Sequence, residues 1–473
     1  VPHGTTGMFI DPHEIANVAG TEGLRYMLEE RLHTPLDILY MLPSCVPATP
    51  LETAGAELRA DDLAPFVGRE GILGLAEMMN VPGVLSGDEE VWKKLDLCPL
   101  VDGHSPQLSG AGLSAYILSG IQSDHECTTA NEGREKIRRG MYVMIREGST
   151  ERNLKSLMPL VRACCVSRLM FATDDRHVDM LVSDGHIDDC IRKAIAYGTE
   201  PELVYRMATL SAAERFCLDD RGALGPGRLA DFCVIDDSDG FEVTSTYKRG
   251  VCWEDPGYVR RPPLAKPFRC FLPGRDEIAI SGSGPARIID IIGGQILTRA
   301  GIEDVEGGRI PDPSGDLLKV VVCDRYRGSG CGVGIVRGLG LKAGAIASSV
   351  AHDSHNIVAA GADDRSILAA IHAVAEQNGG MAVAEGNGVS ILPLESGGLM
   401  STLPYEEVAA RLSVLESRAR SMGAVEHPFM YLSFLSLTVI PELRITDRGL
   451  FDGNTFCDVP LFITTDRLDP LDS

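Results

Sequence analysis

The sequence predicts an α/β protein with a barrel of parallel strand–helix units in residues 1–215, followed by a smaller β segment and a mixed α+β domain. Three observations support this prediction. Strand and helix patterns alternate through residues 1–215, the composition changes after Gly222, and five prolines lie within residues 253–274. The chain has 473 residues, 44% of them hydrophobic. Because single hydrophobic cores stop growing at roughly 250–300 residues, we expect at least two structural units.

Seven short apolar runs in the first part of the chain predict β-strands. They are residues 5–10, 36–42, 71–77, 98–102, 120–123, 141–146 and 168–173. Each is followed by a segment of helical period; the first such segment has Leu24, Met27, Leu28 and Leu32 along one face. Alternating strands and helices imply parallel βαβ units, and seven in a row imply a TIM-type (β/α)8 barrel. We therefore expect residues 1–215 to supply seven of its eight strands.

The remaining chain predicts three further regions. Residues 216–252 contain a turn and a short strand, and the prolines of residues 253–274 are typical of a linker. Residues 275–473 hold strand-like runs at 319–323, 345–350, 381–384 and 389–394, with Asn387-Gly388 suited to a hairpin turn. Helical periods at 368–375 and 408–422 complete the pattern of an α+β domain.

Composition excludes several classes of partner. The net charge of −23 is spread along the chain, which argues against nucleic-acid binding, because that depends on clustered Lys and Arg. The sequence shows no basic leader, which would indicate export, and no run of about 18 apolar residues, which would indicate a membrane partner. The thirteen cysteines show no repeated spacing, so we expect neither a disulfide framework nor a zinc ribbon, and a cytoplasmic location fits.

Polar side chains stand where four of the predicted strands end. They are Glu77, His104, His125 and Asp174. Functional groups of a (β/α) barrel project from the carboxyl ends of its strands. Imidazole and carboxylate together suit zinc, iron or manganese. Taken singly, a histidine at a strand end is more often a hydrogen-bonded loop residue than a ligand, and each carboxylate is explained equally well as a helix cap. Four such residues at matching ends nevertheless favour a metal site.

Several segments together resemble the bacterial adenine deaminases of the amidohydrolase superfamily. The resemblance runs from the first residue to about Asp452 and rests on eight motifs: Ile-Asp-Pro-His-Glu-Ile (10–15), Gly-Leu-Ala-Glu-Met-Met (74–79), Asp-Gly-His (102–104), His-Glu (125–126), Met-Ile-Arg-Glu-Gly-Ser (144–149), Thr-Asp-Asp-Arg (173–176), Gly-His-Ile-Asp (185–188) and Ser-Val-Ala-His-Asp-Ser-His-Asn-Ile-Val (349–358).

This resemblance implies an enzyme that hydrolyses adenine to hypoxanthine and ammonia with a divalent metal pair, with manganese or iron as the first choice and zinc as the alternative. It implies that Glu77 bridges the metals, that His104 and His125 are ligands, and that Asp174 both ligates and accepts the proton of the attacking water. Asp11 and His13 would lie near the substrate. It also implies a homo-oligomer with adenine as its small-molecule partner.

The sequence departs from the family in one respect. Members open the barrel with a strand that ends in His-x-His, whereas no two of the eleven histidines here are spaced i, i+2. We therefore expect that the first barrel strand is missing, that residues 216–252 are the remnant of a β-sandwich, and that residues 1–473 alone are poorly soluble, hold at most one metal and are inactive. His352 and His355 form a His-x-x-His pair, for which a structural role is favoured over a metal role.

Two alternatives remain open at this point. One is another amidohydrolase reaction, such as the opening of a cyclic amide or related N-heterocycle. An adenine deaminase would release ammonia from adenine, whereas this alternative enzyme would open hydantoin-like rings. The other is a non-catalytic remnant, which upstream coding sequence would distinguish by the presence or absence of an in-frame His-x-His segment.

Overall fold

The computed structural model describes residues 1–238 and 240–463 and divides into two compact units. The first unit comprises residues 1–16, 21–46 and 58–259. The second comprises residues 17–20, 47–57 and 260–473. Within the described ranges, no helix combines the length and the apolar character needed to cross a membrane.

Seven short strands form the parallel framework of the first unit. They are β1 (Gly7–Ile10), β2 (Asp37–Leu42), β3 (Ile72–Met78), β4 (Val101–Gly103), β5 (Ser123–Asp124), β6 (Tyr142–Arg146) and β7 (Leu169–Ala172). Strands β1 to β4 form one parallel sheet and β5 to β7 another, each in sequence order. The amide of Gln122 donates to the carbonyl of Val101 (3.1 Å), which links the end of one sheet to the start of the next.

Helices alternate with these strands, as the sequence predicts. They are α1 (His13–Glu30), α2 (Ala60–Leu63), α3 (Val81–Ser86), α4 (Glu89–Leu95), α5 (Gly110–Leu118), α6 (Ala130–Arg138), α7 (Leu154–Leu157), α8 (Val178–Ser183), α9 (Ile187–Ala196), α10 (Pro201–Ala208) and α11 (Leu210–Arg215). The alternating parallel α/β arrangement is thus confirmed, and every predicted strand overlaps an observed one. Closure into an eight-stranded barrel stays a prediction.

A small antiparallel sheet follows the last of these helices. It contains β8 (Phe232–Asp236), β9 (Glu242–Lys248) and β10 (Val251–Cys252), in the order β10-β9-β8. The sequence predicts only one strand here, because β9 carries many polar residues and β10 is only two residues long. Residues 253–274 form no helix or strand, as their prolines predict.

The second unit is built on an eight-stranded sheet in the order β12-β11-β14-β13-β16-β15-β17-β18. Its strands are β11 (Ser283–Ile291), β12 (Thr298–Glu306), β13 (Leu318–Cys323), β14 (Cys331–Arg337), β15 (Ala345–Ser348), β16 (Ile357–Gly361), β17 (Gly380–Glu385) and β18 (Gly388–Pro393). All neighbouring pairs are antiparallel except β11 with β14. The four strands predicted from apolar runs are present. Strands β17 and β18 form the predicted hairpin, but its two loop residues are Gly386 and Asn387 rather than Asn387 and Gly388, because Glu385 pairs with Gly388.

The described residues of this unit also form three α-helices and a second small sheet. The helices are α12 (Asp364–Glu376), α13 (Tyr405–Ser421) and α14 (Pro428–Phe434), and the sheet contains β19 (Leu443–Thr446), β20 (Gly449–Asp452) and β21 (Cys457–Asp458). Both predicted helices correspond to α12 and α13. Helix α12 packs its apolar face, including Ile367, Ile371 and Val374, against the buried side chains of the eight-stranded sheet, so the period seen in the sequence is the contact face.

Candidate functional site

Glu77, His104 and His125 meet at the carboxyl ends of three consecutive parallel strands. Glu77 is the penultimate residue of β3, and the two histidines directly follow β4 and β5. His104 Nδ1 lies 2.8 Å from Glu77 Oε2, and His125 Nε2 lies 3.1 Å from the same oxygen. The structure therefore brings three of the four predicted ligands into one cluster.

Close packing of β4 against β5 makes this meeting geometrically feasible. Gly103 is the residue before His104, and a Cβ atom on it would come within 2.4 Å of the Ser123 carbonyl oxygen. A larger residue at position 103 would push the two strands apart. It would therefore also separate the imidazoles that follow them.

His125 lies between two carboxylates, and this arrangement determines the electrostatics of the cluster. Its Nε2 atom is 3.3 Å from Glu126 Oε1 as well as 3.1 Å from Glu77 Oε2. Burial alone would lower the pKa of His125, but Glu77, Glu126 and Asp174 raise it to about 10. Burial would raise the pKa of the Glu77 carboxyl, but the adjacent imidazoles of His125 and His104 hold it well below its usual range. The Glu77 oxygens are thus kept ionised, as ligands to a cation must be.

Asp11 and His13 lie beside the same glutamate. His13 Nδ1 is 2.9 Å from Asp11 Oδ2 and 3.5 Å from Glu77 Oε1. The pKa of Asp11 rises to about 6 because burial outweighs the opposing effect of His13. After β1, His13 therefore lies near Oε1 of Glu77, with Asp11 beside it. The histidines after β4 and β5 lie near Oε2 of the same carboxylate.

Asp174 is connected to the cluster through Arg146 and Glu126. The Arg146 guanidinium donates to Asp174 Oδ2 at 2.7 Å and to Glu126 Oε2 at 3.1 Å. Burial would raise the pKa of the Asp174 carboxyl, but Arg146 and then His125 lower it. The buried arginine thus keeps Asp174 ionised, fixes one oxygen of its carboxylate and connects it to Glu126.

The loop that carries Asp174 is held by the segment after β6. Asp174 has a left-handed backbone (φ 53°), which Asp tolerates better than most residues. The amide of Ser149 donates to the Asp175 carbonyl at 2.9 Å. A Cβ on Gly148 would meet the carbonyl oxygens of Thr173 and Asp175 at 2.9 Å each. The Arg-Glu-Gly-Ser motif therefore holds the Asp174 loop by direct backbone contact.

Glu126 and Arg146 were not among the site residues chosen from the sequence. Both are nearly fully buried, and Arg146 is the last residue of β6. The rule that selected Glu77, a polar residue at the end of a barrel strand, would also have selected Arg146. A glutamate next to a predicted ligand gives no comparable signal, because many such residues face solvent.

The donor set fits a divalent metal. One ligand atom each from Glu77, His104 and His125 lie within 4.8 Å of one another, and the same holds for Asp11, His13 and Glu77. The buried Nε2 atom of His104 has no hydrogen-bond partner within the described residues, although buried polar atoms are normally satisfied. Two imidazoles and a carboxylate suit zinc, iron or manganese, so these residues could hold a metal ion.

His352 and His355 lie in the second unit and make structural contacts there. His352 Nδ1 is 2.5 Å from Ser433 Oγ, and its ring stacks on Phe434 with centroids 4.8 Å apart. His355 Nδ1 accepts a hydrogen bond from the Ala351 amide at 3.2 Å. These contacts support the structural role that we favoured for the pair.

Comparisons with known proteins match two regions of the chain to family models. Residues 1–252 match the model of the amidohydrolase family, and residues 295–457 match the model of the adenine deaminase C-terminal domain. An adenine deaminase from Methanoculleus marisnigri is 60% identical over 97% of this chain and 89% of its own length. One from Methanoregula boonei is 58% identical over 97% of this chain and 83% of its own length. One from Geobacillus kaustophilus is 44% identical over 98% of this chain and 84% of its own length.

Proposed function

This chain belongs to the adenine deaminase family of amidohydrolases, and on that premise we propose that it hydrolyses adenine to hypoxanthine and ammonia. The observation that carries the proposal is the cluster of Glu77, His104 and His125 at adjacent strand ends, in a chain 60% identical to an adenine deaminase. Amidohydrolases typically depend on divalent metals, and this donor set is compatible with one.

The metal site we propose contains Glu77, His104, His125 and Asp174. Glu77 would bridge two ions, since its Oε2 faces both imidazoles while its Oε1 faces His13. A bound divalent metal supplies Lewis acidity, which makes water a stronger nucleophile at neutral pH. Manganese or iron is proposed over zinc, in keeping with the family resemblance.

Asp174 is proposed as the group that accepts a proton from the attacking water and returns it to the purine ring or to the departing amino group. A general base must be ionised and positioned within hydrogen-bond reach of its proton. Arg146 supports both requirements, because it lowers the pKa of Asp174 and occupies only Oδ2 at 2.7 Å. The other carboxylate oxygen can then face the reacting water. Adenine is a poor electrophile with a poor leaving group, so this proton transfer is a necessary part of the reaction.

Asp11 and His13 are proposed to contact the substrate. Their position beside Glu77 supports this assignment, since a base held there would lie next to the proposed metals. We also propose that residues 1–215 are part of an eight-stranded barrel, that 216–252 belong to a β-sandwich, and that 253–274 link them to a C-terminal domain at 275–473. A cytoplasmic homo-oligomer, without nucleic-acid or membrane partners, is the proposed form of the enzyme.

The proposal is tested by assaying the protein, expressed together with the coding sequence upstream of residue 1 and loaded with Mn²⁺ or Fe²⁺, for ammonia release. We expect turnover of adenine and strong discrimination against adenosine, because a pocket for a free base leaves no room for ribose at N9. A hydantoin-like cyclic amide serves as the comparison substrate. Comparable rates on adenine and adenosine would refute the specificity, and ring opening without adenine turnover would favour another amidohydrolase reaction.

A further inference from the structure

Two cysteines of the second unit face each other across neighbouring strands. Cys323 ends β13 and Cys331 begins β14, and the register pairs them directly. The next pair along, Asp324 and Gly330, is joined by a hydrogen bond from the Asp324 amide to the Gly330 carbonyl at 3.1 Å. Because hydrogen-bonded and non-hydrogen-bonded pairs alternate in an antiparallel ladder, Cys323 and Cys331 form a non-hydrogen-bonded pair.

This type of pair has the spacing that a disulfide needs. Directly opposed residues of a non-hydrogen-bonded pair have Cα atoms about 4.5 Å apart. Disulfides span Cα separations of about 4.4–6.8 Å. Both side chains also leave the sheet on the same face, since Val321, Cys323, Cys331 and Val333 pack into one core cluster. The two thiols can therefore be linked without a change of register.

The surroundings of the two thiols give them different chemical roles. Cys331 is partly exposed, whereas Cys323 is fully buried. The pKa of Cys331 is lowered because the Cys323 thiol hydrogen-bonds to its sulfur, an effect that exceeds the opposing effect of burial. Thiolates are the nucleophilic form of cysteine. Cys331 is therefore the sulfur that reacts with an oxidant from solvent, and Cys323 is the second thiol held against it.

We propose that Cys323 and Cys331 are a redox-active pair that hydroperoxides oxidise to a reversible cross-strand disulfide. The Cys331 thiolate attacks one peroxide oxygen, the O–O bond breaks, and after protonation a sulfenic acid and one molecule of water or alcohol are formed. The Cys323 sulfur then attacks the sulfenic sulfur, the S–O bond breaks, and the oxygen leaves as water with the Cys323 proton. Both sulfurs are oxidised, the peroxide is reduced, and an external dithiol reverses the reaction.

The disulfide would close the hairpin loop that residues 324–330 form. Asp324 already organises this loop, accepting hydrogen bonds from the amides of Tyr326 at 2.7 Å and Ser329 at 2.9 Å. The Tyr326 hydroxyl donates to the Ser354 carbonyl at 2.6 Å, which ties the loop to the Ser-Val-Ala-His-Asp-Ser-His segment. The redox state of the pair is thus expected to affect the rigidity of that segment.

Peptide mapping tests the proposal on the folded full-length protein. The protein is treated with hydrogen peroxide, its remaining thiols are alkylated, and it is denatured and digested with trypsin without reductant. Trypsin cuts after Arg325 and Arg327, so Cys323 and Cys331 fall in separate peptides, residues 320–325 and 328–337. We expect these two peptides to be recovered as one disulfide-linked species that is lost after dithiothreitol treatment.

Two variants control the assignment. Cys331→Ser should abolish the linked species, whereas Cys270→Ser should retain it, although Cys270 lies in the same core cluster as the pair. Circular dichroism establishes that each variant is folded before oxidation. Recovery of both peptides in alkylated, unlinked form from the peroxide-treated protein would overturn the proposal, as would a link from Cys331 to Cys270.

Discussion

The Glu77 carboxylate contacts three imidazoles at once. Its Oε2 lies 2.8 Å from His104 and 3.1 Å from His125, and its Oε1 lies 3.5 Å from His13. Asp174, by contrast, takes its hydrogen bond from Arg146. Because Glu77 contacts several potential ligands, it should matter for metal retention. Asp174 is held at the side of the cluster and should matter for proton transfer.

We therefore expect Glu77→Gln and Asp174→Asn to fail differently when each is introduced into the protein expressed with the coding sequence upstream of residue 1. Glu77→Gln should lose most bound metal and hence activity, because the amide cannot replace an ionised bridging ligand. Asp174→Asn should keep more metal but lose about 10²–10⁴-fold in kcat, the usual contribution of a general base. Elemental analysis after dialysis, paired with ammonia release from adenine, measures both quantities.

Glu70→Gln is a suitable control for these two variants, since the Glu70 side chain is 91% exposed. It should match the unmodified protein in metal content and rate. If Glu77→Gln and Asp174→Asn both kept full metal and near-normal rates, the assignment of the site would be wrong.

At the scale of elements, a buried ion pair joins β5 to α6. Lys136 Nζ lies 3.0 Å from Asp124 Oδ2, and both side chains are fully buried. Asp124 Oδ1 also accepts hydrogen bonds from the amide and the hydroxyl of Ser105, at 2.8 and 3.0 Å. Burial would raise the pKa of Asp124, but Lys136 and then His125 lower it. The pair thus positions the strand end from which His125 projects.

Lys136→Met should destabilise the protein by about 3–5 kcal/mol, because it leaves the Asp124 carboxylate buried and uncompensated. Urea unfolding at pH 7 measures this change. The loss should shrink in acid as Asp124 becomes protonated, since a lowered pKa stabilises the fold only above the range in which the carboxylate titrates. Lys93→Met, which removes an exposed partner of Glu89 in α4, should leave the unfolding midpoint unchanged; an equal effect of both variants would contradict the argument.

At the scale of the whole molecule, the second unit includes a segment distant in sequence. Residues 47–57 belong to it together with residues 260–473. The Thr53 hydroxyl donates to Asp447 at 2.6 Å, and Thr438 donates to Glu52 at 3.1 Å. Burial, then the charge of Asp353, raises the pKa of Glu52 to about 8. Residues 47–57 therefore bring the Glu52 carboxyl group into the second unit, where its surroundings favour the protonated form of that group.

Glu52→Gln should make stability less dependent on pH. The pKa of the Glu52 carboxyl is raised from 4.5 to about 8 in the folded state. The protonated carboxyl therefore stabilises the folded state at low pH, and this stabilisation is lost as the pH rises from 4.5 to about 8. The variant should match the unmodified protein near pH 5 and exceed it by at least about 1 kcal/mol near pH 8.

Urea unfolding at both pH values tests this prediction. Glu376→Gln, at the exposed end of α12, provides the control and should change stability equally at the two pH values. A Glu52→Gln variant that is less stable than the unmodified protein at pH 8 would show that the ionised carboxylate is needed there.

The sequence by itself determined the parallel strand–helix alternation and three of the residues that meet at the site. Each of the seven parallel strands overlaps an apolar run, and the position of Glu77, His104 and His125 at strand ends follows from the geometry of parallel strands. The β17–β18 hairpin, to within one residue of its turn, and helices α12 and α13 were also predictable, because their signals lie within a few neighbouring residues. Membership of the adenine deaminase family, which the motifs indicated, is confirmed by the comparisons.

The tertiary structure alone decided which groups distant in sequence form hydrogen bonds or ion pairs with each other. Arg146 contacts both Glu126 and Asp174, and Glu52 lies beside Thr438, yet no local pattern links these positions. Strand order in the second unit, with Cys323 opposite Cys331, depends on pairing between segments, which period and composition do not encode. Local signals determine where elements form, whereas ionisation and pairing depend on the low-dielectric contacts that only packing creates.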